Sequence, residues 1–329
     1  MKRWRVIVIF VVGILLFVWF LLRINYQELW KALNCARLSW VFASLAIGLA
    51  GYYVRAIRWQ YLLMPIKKIA PFKLFKATVI GFSVTIVLPG RIGEIVRPYL
   101  IGVWENISKS GALATIVLER IIDMLCVLTY FALYLVFFVD KGSTSTLQKV
   151  LQKSSMLAFV IGISGFIILF IWGNKPKVFK KMVNYFMFWS SEKIKEKAMN
   201  VVESFSSGLG ILRQPWLLAK VVALSFIFWF MISVSTSCII WAFVPDIAFV
   251  HGIFIMGLLV TGIAIPTPGG VGTFHWLVKL GLQWLNIDAN VASTIALLFH
   301  LISVGPPLII GITFMWHEGL RWEKLKKMA

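Results

Sequence analysis

The sequence predicts an all-α polytopic membrane protein with about six spanning helices and two opposed re-entrant, or helical, hairpins that form an inverted repeat. Of its 329 residues, 60% are hydrophobic and only 14% are charged, whereas soluble domains carry about 25% charged residues. Several apolar runs reach the length that a helix needs to cross a bilayer. These runs are continuous rather than alternating, which disfavours a β-barrel.

Six apolar runs are predicted to span the membrane. They are residues 4–22, 39–57, 121–139, 154–172, 218–243 and 289–314. The first follows a basic N-terminus and is not followed by a small-residue cleavage site, so it is predicted to be a retained helix rather than a signal peptide.

Two further apolar stretches, residues 72–103 and 247–285, are interrupted in the middle by proline and glycine. The interruptions read "LPGRIG" and "IPTPGGVG". Because such residues break helices, each stretch is predicted to be a hairpin that enters and leaves the membrane on one side. Two full crossings in each stretch would give the same overall topology.

The formal net charge is +20, and the distribution of the basic residues along the chain predicts which side of the membrane each loop faces. Basic residues concentrate in segments 2–5, 55–76, 173–220 and 316–329, and such segments face the cytoplasm. Both termini are therefore expected in the cytoplasm of a prokaryote, with the protein in its inner membrane. Anionic lipid headgroups account for this charge, and no nucleic-acid partner is expected. Residues 173–217 are predicted to form basic helices on the inner membrane surface.

An internal repeat is predicted within a single transmembrane domain of residues 1–329. "PGRIGE" at 89–94 resembles "PGGVGT" at 268–273, an offset of 179 residues. At that offset, without a gap, Thr115, Ile116 and Leu118 fall on Thr294, Ile295 and Leu297. The repeat units are predicted at about 72–139 and 247–314, with the first hairpin entering from the cytoplasm and the second from outside. Paired broken segments of this kind mark the binding site of many secondary transporters. The alternative is that both are structural kinks.

Charged residues occupy the first broken stretch. Arg91, Glu94 and Arg97 have a spacing of three, so they are expected to share one face of a helix that begins after Pro89-Gly90. Charges within a bilayer either pair with one another or line a wet cavity.

Further charges come from "LERIIDML", in which Glu119 and Asp123 are i, i+4 neighbours and Arg120 lies beside them. Together with the first broken stretch, this predicts a polar vestibule with three charges of each sign. Its arginines are suited to bidentate contact with a phosphate. Its carboxylates would orient the arginines, bind a sugar or amine headgroup, or accept a coupling proton. The alternative is a structural ionic network.

The candidate substrate-binding set combines these charges with the residues of both breaks. In addition to the six charged residues, it contains Pro89, Gly90, Gly93, Pro268, Gly269, Gly270, Gly272, His275 and His300. The glycines permit close backbone approach, exposed N–H groups there could bind an anion, and a histidine can change its charge near neutral pH.

No cofactor, metal or catalytic residue is expected, because the three cysteines are widely spaced and form no metal motif. The function predicted from the residues is transport of a substrate that carries a phosphate. One alternative is a membrane glycosyl- or phospho-transferase that acts on a polyprenyl lipid. Another is a non-catalytic scaffold for an envelope-lipid synthase.

The motifs "LPGRIGEIVRPYLI", "ATIVLERIIDML" and "IPTPGGVGTF" resemble the membrane domain of the lysylphosphatidylglycerol synthase/flippase family, over nearly the whole chain. The resemblance implies a flippase for an anionic lipid, a lipid-linked sugar or an aminoacylated phospholipid. Two-domain members carry a soluble aminoacyl-transferase domain after the membrane region. We expect no such domain here, so lysyl transfer is not carried over. His275 stands where many relatives have an acidic residue, so their headgroup specificity is not carried over either.

Overall fold

The computed structural model describes residues 30, 34, 36–87, 91–138, 146–186, 192–264 and 272–319. In these ranges the regular secondary structure is helical, which confirms the predicted all-α membrane class. The α-helices are α1 (Leu38–Leu63), α2 (Pro71–Val87), α3 (Gly93–Trp104), α4 (Lys109–Phe137), α5 (Thr146–Asn174), α6 (Pro176–Phe186), α7 (Glu192–Gly208), α8 (Pro215–Trp241), α9 (Val250–Ala264), α10 (Thr273–Trp284) and α11 (Ala289–His317). A short 3-10 helix, Gly210–Arg213, links α7 to α8.

Four of the described helices, α1, α4, α8 and α11, are long and apolar enough to cross a membrane. Each has 26 to 29 residues, or roughly 40 Å at about 1.5 Å per residue. They contain most of the predicted spans 39–57, 121–139, 218–243 and 289–314. The predicted span 154–172 lies in α5, whereas the predicted span 4–22 lies outside the described residues.

Several helices extend beyond the predicted spans. Helix α4 begins at Lys109 rather than near residue 121, and α1 continues to Leu63 rather than ending near residue 57. The extra turns of α1 matter for the site, because they contain Arg58, which the sequence pattern had placed in a cytoplasmic segment.

The two broken stretches form helical hairpins. Helices α2 and α3 have 17 and 12 residues, and α9 and α10 have 15 and 12. At about 1.5 Å per residue the shorter arms are roughly 18 Å long, less than the ~30 Å hydrocarbon core. These lengths agree with re-entrant hairpins. In the first hairpin α2 and α3 meet at Gly81, where an added Cβ would lie 2.8 Å from the carbonyl oxygen of Gly93.

The helices of α1–α4 and α8–α11 correspond in order and in length, with 26, 17, 12 and 29 residues against 27, 15, 12 and 29. Their packing corresponds as well. Helix α2 packs against α11, and its counterpart α9 packs against α4. Helices α1 and α8, which are counterparts, pack against each other. A two-fold pseudo-symmetric pair of four-helix units would produce this exchange of packing partners.

The turns that follow the two hairpins share a detailed backbone conformation. Asn106 and Asn286 both have left-handed backbones, with φ of 53° and 60°. The next residue in each turn, Ile107 or Ile287, donates its N–H to a carbonyl five residues earlier, at 3.1 Å in both cases. Asparagine tolerates this conformation better than most residues.

The helices after these turns are capped at corresponding positions. Ser108 accepts a hydrogen bond from the N–H of Gly111 at the start of α4, and Asp288 accepts bonds from Asn290 and Val291 at the start of α11. The turns and caps therefore match at an offset of 180 residues. The ungapped offset of 179 fails beyond the hairpins, so Thr115 corresponds to Ile295 rather than to Thr294.

Helices occur in the basic region 173–217, as predicted. Trp172 at the end of α5 stacks on Phe179 of α6, with ring centroids 4.4 Å apart. Helix α7 packs against the start of α4, where an added Cβ on Gly111 would lie 2.9 Å from the carbonyl oxygen of Ser204. This region is therefore anchored to the bundle through α7, and its position on the membrane surface stays a prediction.

Candidate functional site

The candidate site is a group of charged side chains that lie between α1, α3 and α4, next to α2 and α8. We call it the arginine cluster, and its members are Arg55, Arg58, Arg97, Glu119, Arg120 and Asp123. Charged groups inside a membrane bundle persist only where they are paired or hydrated. The contacts of each arginine therefore indicate what the cluster can bind.

Arg58 of α1 is fully buried and holds the cluster together. Its Nη2 donates to Asp123 Oδ2 at 3.1 Å and lies 3.1 Å from Glu119 Oε1. Its Nη1 contacts Asp123 Oδ1 and donates to Ser225 of α8 at 2.9 Å. Trp229 of α8 donates its indole N–H to the same carboxylate at 2.9 Å. Two of the spanning helices, α1 and α8, are thus fixed to a third, α4.

Arg97 of α3 is also buried. Its Nη1 donates to Glu119 Oε1 at 3.4 Å, and its Nη2 donates to the Thr78 hydroxyl of α2 at 3.3 Å. The guanidinium lies over the ring of Trp59, 4.6 Å from its centroid. Arg97 therefore joins both arms of the first hairpin to α1 and α4.

Arg120 differs from these two because its side chain is 30% exposed. It contacts Glu119 Oε1 and lies 3.2 Å from Asp123 Oδ2. Arg91 and Glu94, at the break between α2 and α3, form a loose pair of 4.0 Å with side chains 39% and 33% exposed. These three side chains are the partly exposed ones of the site, and we call them the entrance.

Arg55 lies one turn before Arg58 on α1 and is 6% exposed. Its guanidinium lies between the rings of Phe82 and Phe228, 4.9 and 4.4 Å from their centroids. Within the described part of the chain, no carboxylate lies within 4.0 Å of Arg55. Aromatic faces attract a cation but do not neutralise it.

Several polar atoms of the cluster are buried without a hydrogen-bond partner among the described residues. They are the Nε atoms of Arg55, Arg58, Arg97 and Arg120, and Oε2 of Glu119. Buried polar groups are nearly always hydrogen-bonded in native proteins. Such a concentration at one place is typical of a binding site, since a ligand or water can supply the missing partners.

Sequence reasoning missed Arg55 and Arg58, which it had assigned to the cytoplasmic segment 55–76. It also missed the neutral partners of the cluster, which are Trp59, Thr78, Ser225 and Trp229. A signal was present for the arginines: Arg55, Arg58 and Trp59 continue the helical spacing of α1. Their inclusion also overturns the predicted balance of three charges of each sign, because the described site has five cations and three anions.

Arg91, Glu94 and Arg97 do not share one helix face, contrary to prediction. Helix α3 begins at Gly93, and Arg91 precedes it with a left-handed backbone, φ 55°. Glu94 lies in the first turn of α3, and only Arg97 points into the buried cluster. The predicted residues Pro89 and Gly90 lie outside the described residues.

The second hairpin brings His275 of α10 next to His300 of α11, with ring centroids 4.5 Å apart. Gly272 starts this helix with φ 90°, and its N–H donates to His275 Nδ1 at 3.4 Å. The two histidines pack with Phe274. They are not among the ion-pair partners of the arginine cluster given above. The predicted residues Pro268, Gly269 and Gly270 lie outside the described residues. Within the described ranges, no three His, Cys, Asp or Glu side chains are placed to hold a metal ion.

The base of the first hairpin is held by a salt bridge outside the spanning segments. Glu105, at the end of α3, lies 2.8 Å from Lys67 and 2.6 Å from Lys73. Hydrogen bonds from these two lysines hold the pKa of the Glu105 carboxyl below its ordinary value. The two lysines also donate to the carbonyls of Glu105 and Trp104, which caps the C-terminus of α3.

Comparison with known proteins identifies the family. The family model for the lysylphosphatidylglycerol synthase TM region matches residues 6–311. The chain belongs to this family. The resemblance of its three motifs to that family is thereby confirmed, and the matched residues include the whole arginine cluster and both hairpins.

Similar proteins of this family occur in archaea. A UPF0104 membrane protein of Methanocaldococcus jannaschii is 22% identical, with 89% of this chain and 88% of the relative covered. One from Pyrococcus horikoshii is 22% identical over 94% and 96% of the two chains. One from Methanothermobacter thermautotrophicus is 20% identical over 95% of each. These relatives are stand-alone membrane proteins of about the same length.

Proposed function

We propose that this protein moves the headgroup of an anionic lipid across the cytoplasmic membrane while the hydrocarbon chains stay in the bilayer. The arginine cluster is the proposed site for the headgroup phosphate. Arg91 and Arg120 receive it at the entrance, and the buried arginines supply the attraction. The substrate class comprises phospholipids, aminoacyl-phospholipids and polyprenyl-phosphate sugars.

The observation that carries this proposal is the group of four buried or half-buried arginines with unpartnered Nε atoms at the first hairpin. A guanidinium presents a planar set of N–H donors that matches a phosphate. Each buried polar group left unpaired costs about 1–3 kcal/mol, and a phosphate supplies acceptors for these donors. Glu119 Oε2, also unpartnered, is placed to accept a hydrogen bond from a headgroup hydroxyl or amine.

The helical correspondence supports an alternating-access mechanism. The two four-helix units have similar structures and can exchange conformations. In inverted-repeat transporters, this exchange opens the binding site first to one side of the membrane and then to the other. In this proposal the first hairpin enters from the cytoplasm and the second from outside, with both termini in the cytoplasm. The protein acts as a transporter and not as an enzyme. The proposed partners are membrane lipids, a coupling proton or ion, and an envelope-lipid synthase, and no nucleic-acid partner is proposed.

Translocation in proteoliposomes tests the proposal. Fluorescent anionic lipids in the inner and outer leaflets are distinguished by an impermeant quencher. Loss of one charged hydrogen-bond donor costs about 1.5–3 kcal/mol, so Arg91→Ala and Arg120→Gln should slow translocation by roughly 10- to 100-fold.

Lys109→Gln is the matched control, because it removes an exposed cation from the same helix as Arg120. It should leave the rate unchanged. Each variant must elute as a single species in detergent before its rate is compared. Full rates in both arginine variants, or no translocation of any anionic lipid by the unaltered protein, would refute the proposed function.

A further inference from the structure

The arginine cluster has an excess of two positive charges. Its described members are four arginines and two carboxylates, Glu119 and Asp123. The Arg91–Glu94 pair at the entrance adds one charge of each sign and leaves this excess unchanged. Charge in the low-dielectric interior of a membrane bundle is costly unless it is neutralised.

The excess is concentrated at Arg55. No carboxylate of the described residues lies within 4.0 Å of Arg55, whereas the other three arginines of the cluster each contact Glu119 or Asp123. The Nε of Arg55 is buried and has no hydrogen-bond partner among the described residues. Its two aromatic neighbours, Phe82 and Phe228, contribute no negative charge.

The charge of the ligand decides whether this excess is removed. A phosphodiester headgroup carries one negative charge and would leave the cluster at +1. A phosphate monoester carries close to two above its second pKa of about 6, and it offers three acceptor oxygens rather than two. The dianion therefore neutralises the cluster and provides one more acceptor for the guanidinium groups.

We propose that the arginine cluster selects lipids with a dianionic phosphate monoester headgroup over lipids with a monoanionic phosphodiester. This inference rests on the proposed function and specifies its substrate class. Arg55 is the residue that determines the selection, because it carries the charge that a monoanion leaves uncompensated. Arg91 and Arg120 serve both headgroup types.

Paired translocation rates test the selection. Proteoliposomes are prepared with fluorescent phosphatidic acid, a phosphate monoester, or with fluorescent phosphatidylglycerol, a phosphodiester, and the rates in protein-free liposomes are subtracted. At pH 8 the monoester should move about tenfold faster, the ratio that about 1.4 kcal/mol of extra attraction produces. At pH 5 the monoester has lost its second charge, so the ratio should fall towards one.

Variants of Arg55 test whether this residue causes the preference for the phosphate monoester. Arg55→Met, which removes the charge, should bring the pH 8 ratio close to one, whereas Arg55→Lys, which keeps it, should retain the ratio. Lys109→Met, which removes an exposed cation of the same chain, should also leave the ratio unchanged. If Arg55→Met does not fold, the pH dependence of the ratio in the unaltered protein decides the question.

The outcomes separate this inference from the proposed function. Equal rates for the two lipids at pH 8 would overturn the selection and leave anionic-lipid transport intact. No movement of either lipid would overturn both. Uptake of radiolabelled inorganic phosphate at a rate comparable to that of the monoester would show that the site takes free phosphate, and would overturn the assignment to a lipid.

Discussion

Arg58 and Asp123 form a bidentate ion pair between α1 and α4, in which Arg58 Nη2 donates to Asp123 Oδ2 at 3.1 Å and Nη1 contacts Oδ1. Both side chains are buried, with exposures of 0% and 6%. The pair is therefore shielded from water, and each partner depends on the other for its charge to be tolerated. It connects the first helix of one repeat unit to the last helix of the same unit.

Removal of one partner should be strongly destabilising. Asp123→Asn keeps a side-chain oxygen but removes the charge, which leaves Arg58 with one neutralising carboxylate fewer. Breaking a buried pair in this way costs about 3–5 kcal/mol. The double variant Arg58→Met/Asp123→Leu should recover most of that loss, because it removes both charges. Thermal unfolding in detergent, followed by tryptophan fluorescence, measures the effect. Equal destabilisation by the single and the double variant would show that the pair is not energetically coupled.

The close approach of α2 and α3 gives a second prediction. A methyl group on Gly81 would overlap Arg97 and lie 2.8 Å from the Gly93 carbonyl oxygen, so Gly81→Ala should destabilise the protein by about 1–3 kcal/mol. Gly48→Ala in α1 is the matched control, since nothing lies within 4 Å of the added methyl group. Gly48→Ala should be neutral or stabilise by up to about 1 kcal/mol. The same melting assay compares the two, and equal melting temperatures would contradict the close packing.

The salt bridge at Glu105 gives a pH dependence. The folded-state pKa of Glu105 is lowered, so its contribution to stability is present at neutral pH and is lost as the pH falls through that lowered pKa. Because its lysine partners are 40–46% exposed, the contribution should be under about 1 kcal/mol. Glu105→Gln should therefore raise amide exchange at the end of α3 at pH 7. Its difference from the unaltered protein should shrink as the pH falls through the lowered pKa of Glu105 and vanish below it.

Glu192→Gln is the control for that experiment, because Glu192 is 89% exposed in its pair with Lys195. It should not alter exchange at α3 at any pH. A difference between Glu105→Gln and the unaltered protein that persisted undiminished at pH 3 would show that charge at Glu105 is not its cause.

The proposed opposed orientation of the repeats gives a topological prediction. Lys109 and Gln283 are exposed residues near the two matching turns. In a cysteine-free background, Lys109→Cys should react with an impermeant maleimide only from the cytoplasmic side, and Gln283→Cys only from outside. Gly102 and Gly281 are poor labelling sites, because both are buried and an added Cβ would contact neighbouring side chains closely. Labelling of both positions from one side would contradict the inverted repeat.

Most of the helical architecture was predictable from sequence because it depends on local signals. Continuous apolar runs predict helices, and the breaks around Pro89 and Pro268 predict where two of them are interrupted. The residues at which the helices begin and end were less predictable. The positive charges of Arg55 and Arg58 favoured a loop at the membrane surface, whereas both belong to α1, which continues to Leu63.

The composition of the site depended on contacts that a single sequence does not contain. An arginine near the end of an apolar run can face the cytoplasm or the bundle interior. Arg58 faces inward because Glu119 and Asp123, more than 60 residues later, provide its counter-charges. For this reason the prediction of three charges of each sign did not hold. The excess of positive charge in the described site is the basis for the proposed selection of dianionic headgroups.

A structure determined in nanodiscs that contain a phosphate monoester lipid tests the central claim most directly. The phosphate should lie within hydrogen-bond distance, about 2.7–3.2 Å, of the guanidinium groups of Arg55 and Arg120, with the acyl chains in the bilayer. A headgroup phosphate bound elsewhere, with the cluster closed and its arginines paired only with protein groups, would contradict the claim.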